Sequence, residues 1–153
     1  MNPNLVRQIL TYIDENIYAR ITLEELSRLF YFNKDYIMRI FKKELKITII
    51  DYMNKKRIDS SLEELQDTKD SILKIALNHG FTSQEYYTEI FHKEMGVNPL
   101  TYRKFSLHHP SVSEEDSNQI RKNLTEIKYL LDQIENYKRN VPKETIKKLS
   151  RYH

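Results

Sequence analysis

SILKIALNHGFTSQEYYTEIFHKEMG, residues 71–96, is the stretch whose reading decides the fold. Ser71 can cap a helix whose inward positions are Ile72, Ile75 and Ala76, and Gly80 can take the left-handed conformation that closes it. Phe81-Thr82-Ser83 leads directly into a second helix, with Tyr87, Ile90 and Phe91 on one face. Apolar residues three and four apart mark a helix buried along a single stripe. A short helix, a tight turn and a second helix with no room between them is a helix-turn-helix pattern.

The pattern occurs twice. Phe41-Lys42-Lys43-Glu44-Leu45 matches Phe91-His92-Lys93-Glu94-Met95 at an offset of 50, and Tyr36, Ile40 and Tyr52 match Tyr86, Ile90 and Tyr102. Upstream, Leu23 and Leu26 match Ile72 and Ile75 at an offset of 49, so the second turn carries one added residue. In the first copy Thr22 and Glu25 have capping-box spacing, Leu23, Leu26 and Leu29 are expected to be buried, and Asn33 can cap the next helix through Ile37, Ile40 and Phe41. Before it, Asn2 and Pro3 suit a helix start, with Leu5, Ile9, Ile13 and Ile17 on one face. Between the copies a long helix from about Ile49 to Leu65 turns Ile58, Leu62 and Leu65 inward.

Composition agrees with this reading. The chain has 153 residues, 39% hydrophobic and 31% charged, with only two glycines, Gly80 and Gly96. Sheets and phosphate loops use glycine freely, so the expected class is all-α, and a GxGxxG or P-loop site is ruled out. With no cysteine there are no disulfides and no thiolate ligands. No apolar run nears the roughly 18 residues of a membrane span, and MNPNLVRQIL lacks the pattern of a signal peptide, so a cytoplasmic protein is expected. The net charge of +3 does not by itself announce nucleic-acid binding.

After Phe105 the composition shifts, dividing the chain into residues 1–105 and an extension, 106–153. Residues 106–113, with His108, His109 and Pro110, read as a linker. Ser113 can cap a helix that opens with Glu114, Glu115 and Asp116, which complement its dipole. Ile120, Ile127 and Ile134 fall seven apart, and Leu124 and Leu131 widen the stripe. That seam can fold back on the domain or pair with a second copy through residues 114–139, and dimerisation or partner binding is the expectation here. Pro142 marks a break before a short basic helix with Ile146 and Leu149.

A helix-turn-helix works by laying its second helix in the DNA major groove. In the first copy Lys34, Asp35, Met38, Arg39 and Lys42 project outward. Five basic residues face two acidic ones between Lys34 and Lys46. Arg39 is the best candidate for a bidentate contact to guanine. In the second copy Ser83, Gln84, Glu85, Tyr86, Thr88 and Glu89 project outward. From Thr82 to Met95, Lys93 stands alone against Glu85, Glu89 and Glu94. The first copy is therefore expected to supply most of the affinity. The second would be a selective reader or a surface for a protein partner. His108 and His109 lack companions at metal spacing, and no carboxylates or serines group into a catalytic constellation, so neither metal, cofactor nor enzymatic activity is expected.

The chain resembles the DNA-binding domain of the AraC/XylS family of bacterial transcription regulators, over about Leu5 to Phe105. The resemblance is carried by Ile72, Ile75-Ala76, Gly80-Phe81, Tyr87, Phe91-His92-Lys93, Gly96, Asn98-Pro99 and Tyr102-Arg103, with Arg57-Ile58, Leu62 and Leu65 in the linking helix. It implies an all-α fold of two helix-turn-helix subdomains joined by a long linking helix, here followed by a helical C-terminal extension. It also implies a sequence-specific DNA-binding regulator, more often an activator, that binds double-stranded DNA and touches RNA polymerase. The family's contact positions fall on Lys34, Asp35, Met38 and Arg39, and on Gln84, Glu85, Tyr86, Thr88 and Glu89. Tyr31 departs from the pattern by standing where the first turn often has glycine, and Glu89 by standing where a basic residue is common. The alternative is a protein of the same fold that binds a transcription factor or polymerase subunit instead of DNA.

Overall fold

The computed structural model describes residues 3–140, which form eight helices and no strand among them. They are α1 (Pro3–Glu15), α2 (Leu23–Phe30), α3 (Lys34–Leu45), α4 (Ile49–Asp67), α5 (Ile72–Asn78), α6 (Gln84–Met95), α7 (Pro99–Ser106) and α8 (Glu114–Asn140). The all-α class and both helix-turn-helix pairs, α2–α3 and α5–α6, are as expected, with α4 as the linking helix. The expected cap at Asn2, and the short helix beyond Pro142, lie outside the described residues. The helices assemble into two compact units. Among the described residues, one holds 3–53 together with 132–140; the other is Asn54–Leu131.

The caps expected at Thr22, Asn33 and Ser71 are made, and Asn98 supplies a further one. Thr22 accepts the Glu25 N–H at 3.1 Å, Asn33 that of Tyr36 at 2.8 Å, Ser71 that of Lys74 at 3.1 Å, and Asn98 that of Thr101 at 2.8 Å. Each satisfies an amide that the first turn would otherwise leave open. The turn after α5 is a Schellman closure. Gly80 sits at φ 88°, the Phe81 N–H reaches back to the Ala76 carbonyl at 3.0 Å, and Phe81 is buried under the turn.

The first unit also closes its helix with a left-handed residue, but without glycine. Tyr31 ends α2 at φ 62°, ψ 33°, its N–H on the Ser27 carbonyl. Its side chain is 91% exposed, so no packing compensates the left-handed backbone. Lys46 repeats this at the end of α3, at φ 63°, where α6 has Gly96 at φ 79°. Leu29, expected to be buried, is 47% exposed. Three-residue steps slip by about 60° each on a helix of 3.6 residues per turn, so Leu29 lies off the stripe centred on buried Leu26.

In the second unit Ile58, Leu62 and Leu65 of α4 pack in one cluster with Ile72, Ile75, Phe81, Tyr87, Phe91 and Tyr102. The rings run in a chain of edge contacts, Phe81 to Tyr87 at 5.0 Å, Tyr87 to Phe91 at 5.7 Å and Phe91 to Tyr102 at 5.9 Å. Ile120 and Ile127 of α8 belong to this cluster. Ile134 is buried too, in the first unit. There Arg7 donates to the Lys138 carbonyl at 3.0 Å, Lys138 reaches Asp14 at 2.8 Å, and Tyr137 donates to Glu44 at 3.2 Å. The isoleucine seam is thus occupied inside the chain, the fold-back arrangement, and is not free to pair with a second copy as expected. The heptad spacing is equally suited to either arrangement, and here it meets apolar surface of its own chain.

Three stability changes follow. Tyr31→Gly raises stability in urea unfolding by about 0.5–1 kcal/mol, because it relieves the left-handed strain and removes no contact. Gly96→Ala lowers it by about 1–3 kcal/mol, since an added Cβ at φ 79° would also meet Gln119 at 2.4 Å and Asn123 at 2.8 Å. Ile127→Ala, at 3% exposure, costs about 2–4 kcal/mol. If 106–153 were a detached appendage, that last change would leave the melting of the domain untouched.

Candidate nucleic-acid interface

On α3 the buried stripe is Ile37, Ile40, Phe41 and Leu45, which leaves Lys34, Asp35, Met38, Arg39 and Lys42 exposed on the opposite side. Their spacing of one, three and four residues puts all five on one continuous face. Lys34 is paired with Glu24 at 3.1 Å, an exposed ion pair worth little on its own. Burial is not what holds the Glu24 carboxyl below its usual range; hydrogen bonds from its own backbone and from Lys34 do. Tyr36 stacks on Phe32, ring centroids 4.9 Å apart at 23°, and the Arg39 guanidinium lies 5.5 Å from the Tyr36 ring centroid. The tyrosine therefore carries the arginine as a platform and limits its rotamers. Lys42 donates to the Lys46 carbonyl at 3.2 Å, and Lys46 to that of Lys43 at 2.9 Å, which satisfies carbonyls at the helix end.

On α6 the buried residues are Tyr87, Ile90, Phe91, Glu94 and Met95. Gln84, Glu85, Tyr86, Glu89 and Lys93 are exposed, while Ser83 and Thr88 are half-buried. The Ser83 hydroxyl accepts the Tyr86 N–H at 3.1 Å as the cap of the helix. Tyr87 shares a hydrogen bond with Ser61 at 2.8 Å, and burial pushes its hydroxyl well above the ordinary phenol range. Glu94 corrects the charge count made from sequence. It is buried, and one of its oxygens is taken by the Lys55 ammonium of α4. Lys93 lines a cleft of about 250 Å³ with Lys55, Glu94, Asn123 and Glu126. The outward acidity of α6 is thus Glu85 and Glu89.

Asn54 was not singled out by the sequence. It lies 5% exposed on α4, and its amide donates to the Tyr86 hydroxyl at 3.1 Å. The two residues are 32 positions apart, and no periodicity connects them. Arg57 is likewise buried on α4, and burial lowers its guanidinium from the ordinary value while the nearby Tyr86 works the other way. Among the described residues no group of histidines and carboxylates could hold a metal ion, and no helix is long and apolar enough to cross a membrane.

Two partly exposed helix faces, one cationic and one mixed, each backed by a buried stripe and preceded by a short helix, are what a groove reader requires. Known proteins agree with that geometry. The helix-turn-helix domain family matches residues 26–104. The chain is 36% identical over 101 residues to the melibiose operon regulatory protein of Escherichia coli (strain K12), which covers 66% of this chain and 33% of that protein. It thus spans about a third of the length of that relative. It is similar to the C-terminal domain of AraT, a response regulator from Geobacillus stearothermophilus, at 32% identity and a TM-score of 0.63, over 67% of this chain and 85% of that one. The DNA-binding domain of AdpA, solved in complex with a target DNA, shares the fold at 18% identity and a TM-score of 0.62, over 72% of this chain and 99% of that one.

The partly buried ion pair behind α6 gives a further expectation. Lys55→Met, which strips the partner from a carboxylate 4% exposed, destabilises the second unit by about 2–3 kcal/mol in urea unfolding at neutral pH. Lys42→Met, on an exposed face, changes stability by less than about 0.5 kcal/mol.

Proposed function

The chain belongs to the AraC/XylS family of helix-turn-helix proteins, and from that premise we propose that it is a sequence-specific, double-stranded-DNA-binding transcription regulator. The observation that carries the reading is the α3 face: Lys34, Asp35, Met38, Arg39 and Lys42 are all exposed, with no element folded over them among the described residues. Arg39, steadied on Tyr36, has the fork geometry for guanine O6 and N7. Lys34 and Lys42 supply phosphate contacts, which position the helix without reading sequence. The DNA-reading part is residues 1–105, followed by an extension, 106–153.

The family normally has no enzymatic activity, and the site groups no catalytic residues. Activation, by standing beside a promoter and touching RNA polymerase in the cytoplasm, is the role we assign. Homodimerisation through residues 114–139 would have to use the outer face of α8, where Tyr129 is 67% exposed, because the isoleucines are already buried.

Selection of bound sites from a random duplex pool tests the reading, followed by titration of the recovered site at several salt concentrations. Arg39→Ala costs about 1–3 kcal/mol on that site and relaxes the sequence preference at one base pair. Lys42→Ala weakens binding to all duplexes alike and lowers the salt slope by about 1. A chain that binds no duplex with a salt-dependent affinity is not a DNA reader, and the acidic α6 face then becomes the surface of a protein-binding regulator.

A further inference from the structure

The two recognition helices carry tyrosine at the same repeat position, and the structure treats the two rings differently. Tyr36 is half-buried, stacked on Phe32, with the Arg39 guanidinium laid over it. Tyr86 is exposed, 5.9 Å from Phe81 at a tilt of 55°. Its hydroxyl is drawn back by buried Asn54 of α4. Three residues on, where α3 has Arg39, α6 has Glu89, which cannot lie over a π face as a cation does. Glu85 and Glu89, both exposed and four residues apart, lie on the same side of the helix.

That arrangement has a chemical preference. An aromatic ring held by its polar end offers apolar surface, and the one apolar group on the major-groove edge of DNA is the thymine 5-methyl. A carboxylate can only accept, and the cytosine exocyclic amine is the donor that matches it there, whereas guanine presents two acceptors that repel it. We propose that the second unit is a pyrimidine-selective reader: the Tyr86 ring seats a thymine methyl, Glu85 and Glu89 select cytosine beside it, and Asn54 is the positioning residue that aims the ring. This rests on the DNA-binding reading above. It also gives the acidic α6 face a task that phosphate attraction cannot supply, and leaves the bulk of the affinity to α3.

The test uses the full chain and the duplex recovered by selection, with each thymine replaced in turn by deoxyuridine, which removes only the 5-methyl. One replacement lowers affinity by about fourfold, the size expected for one buried methyl group. Tyr86→Ala binds the two duplexes equally. Asn54→Leu, close in size but unable to donate, brings the thymine-to-uracil ratio below about twofold while its thermal unfolding stays cooperative. A merely structural Asn54 would weaken both duplexes and leave the ratio intact. Glu89→Arg, which restores the pairing seen on Tyr36, moves the preferred neighbouring base from cytosine to guanine. Salt-dependent binding in which no methyl matters, or in which Tyr86→Ala keeps the methyl effect, overturns this inference and leaves the DNA-binding reading standing. Absence of any duplex binding overturns both.

Discussion

A twelve-residue helix can present a reading face only if its opposite side is held fast, and both recognition helices are held by one apolar stripe. On α3 it is Ile37, Ile40, Phe41 and Leu45; on α6 it is Tyr87, Ile90, Phe91 and Met95. Helix propensity would not keep so short a segment folded in water. Burial of these stripes does, and it fixes by subtraction which residues face outward. The caps and left-handed closures at each end set where the helix begins and stops. Every functional argument about Arg39 or Tyr86 depends on that anchoring.

The duplicated unit has diverged along its exposed side and kept its buried one. Ile40 and Ile90 have equivalent roles, as do Phe41 and Phe91. Outside the core, Arg39 and Glu89 occupy the same repeat position, and the tyrosines they accompany have different surroundings. Closure has diverged too. The second unit uses Gly80 and Gly96 at positive φ, and the first forces Tyr31 and Lys46 into the same conformation. At Gly96 a second constraint operates, because Gln119 and Asn123 of α8 come close enough to exclude a Cβ.

Much of this was legible in the residues because short-range rules govern it. Capping at Thr22, Asn33, Ser71 and Asn98, the helical stripes and the closing Gly80 all depend on neighbours within a few positions. The exposed faces followed, since a helix with one buried side has a defined other side. What was not legible depends on contacts distant in sequence. Asn54 meets Tyr86 and Lys55 meets Glu94 only after α4 and α6 are packed, so Glu94 was counted as surface charge and Asn54 passed unnoticed. Leu29 misled because three-residue spacing drifts off the stripe. The isoleucines of α8 misled because a seven-residue repeat suits a partner helix and the chain's own core equally well.

In the proposed complex the α3 face lies against base edges in the major groove, with Arg39 at guanine. The most direct measurement is protection of guanine N7 from methylation, on the selected duplex, by the full chain and by Arg39→Ala at matched occupancy. One guanine is expected to be protected by the native chain and to become reactive again in the variant. Saturating occupancy with every guanine N7 still open, or protection that survives loss of the guanidinium, would contradict it.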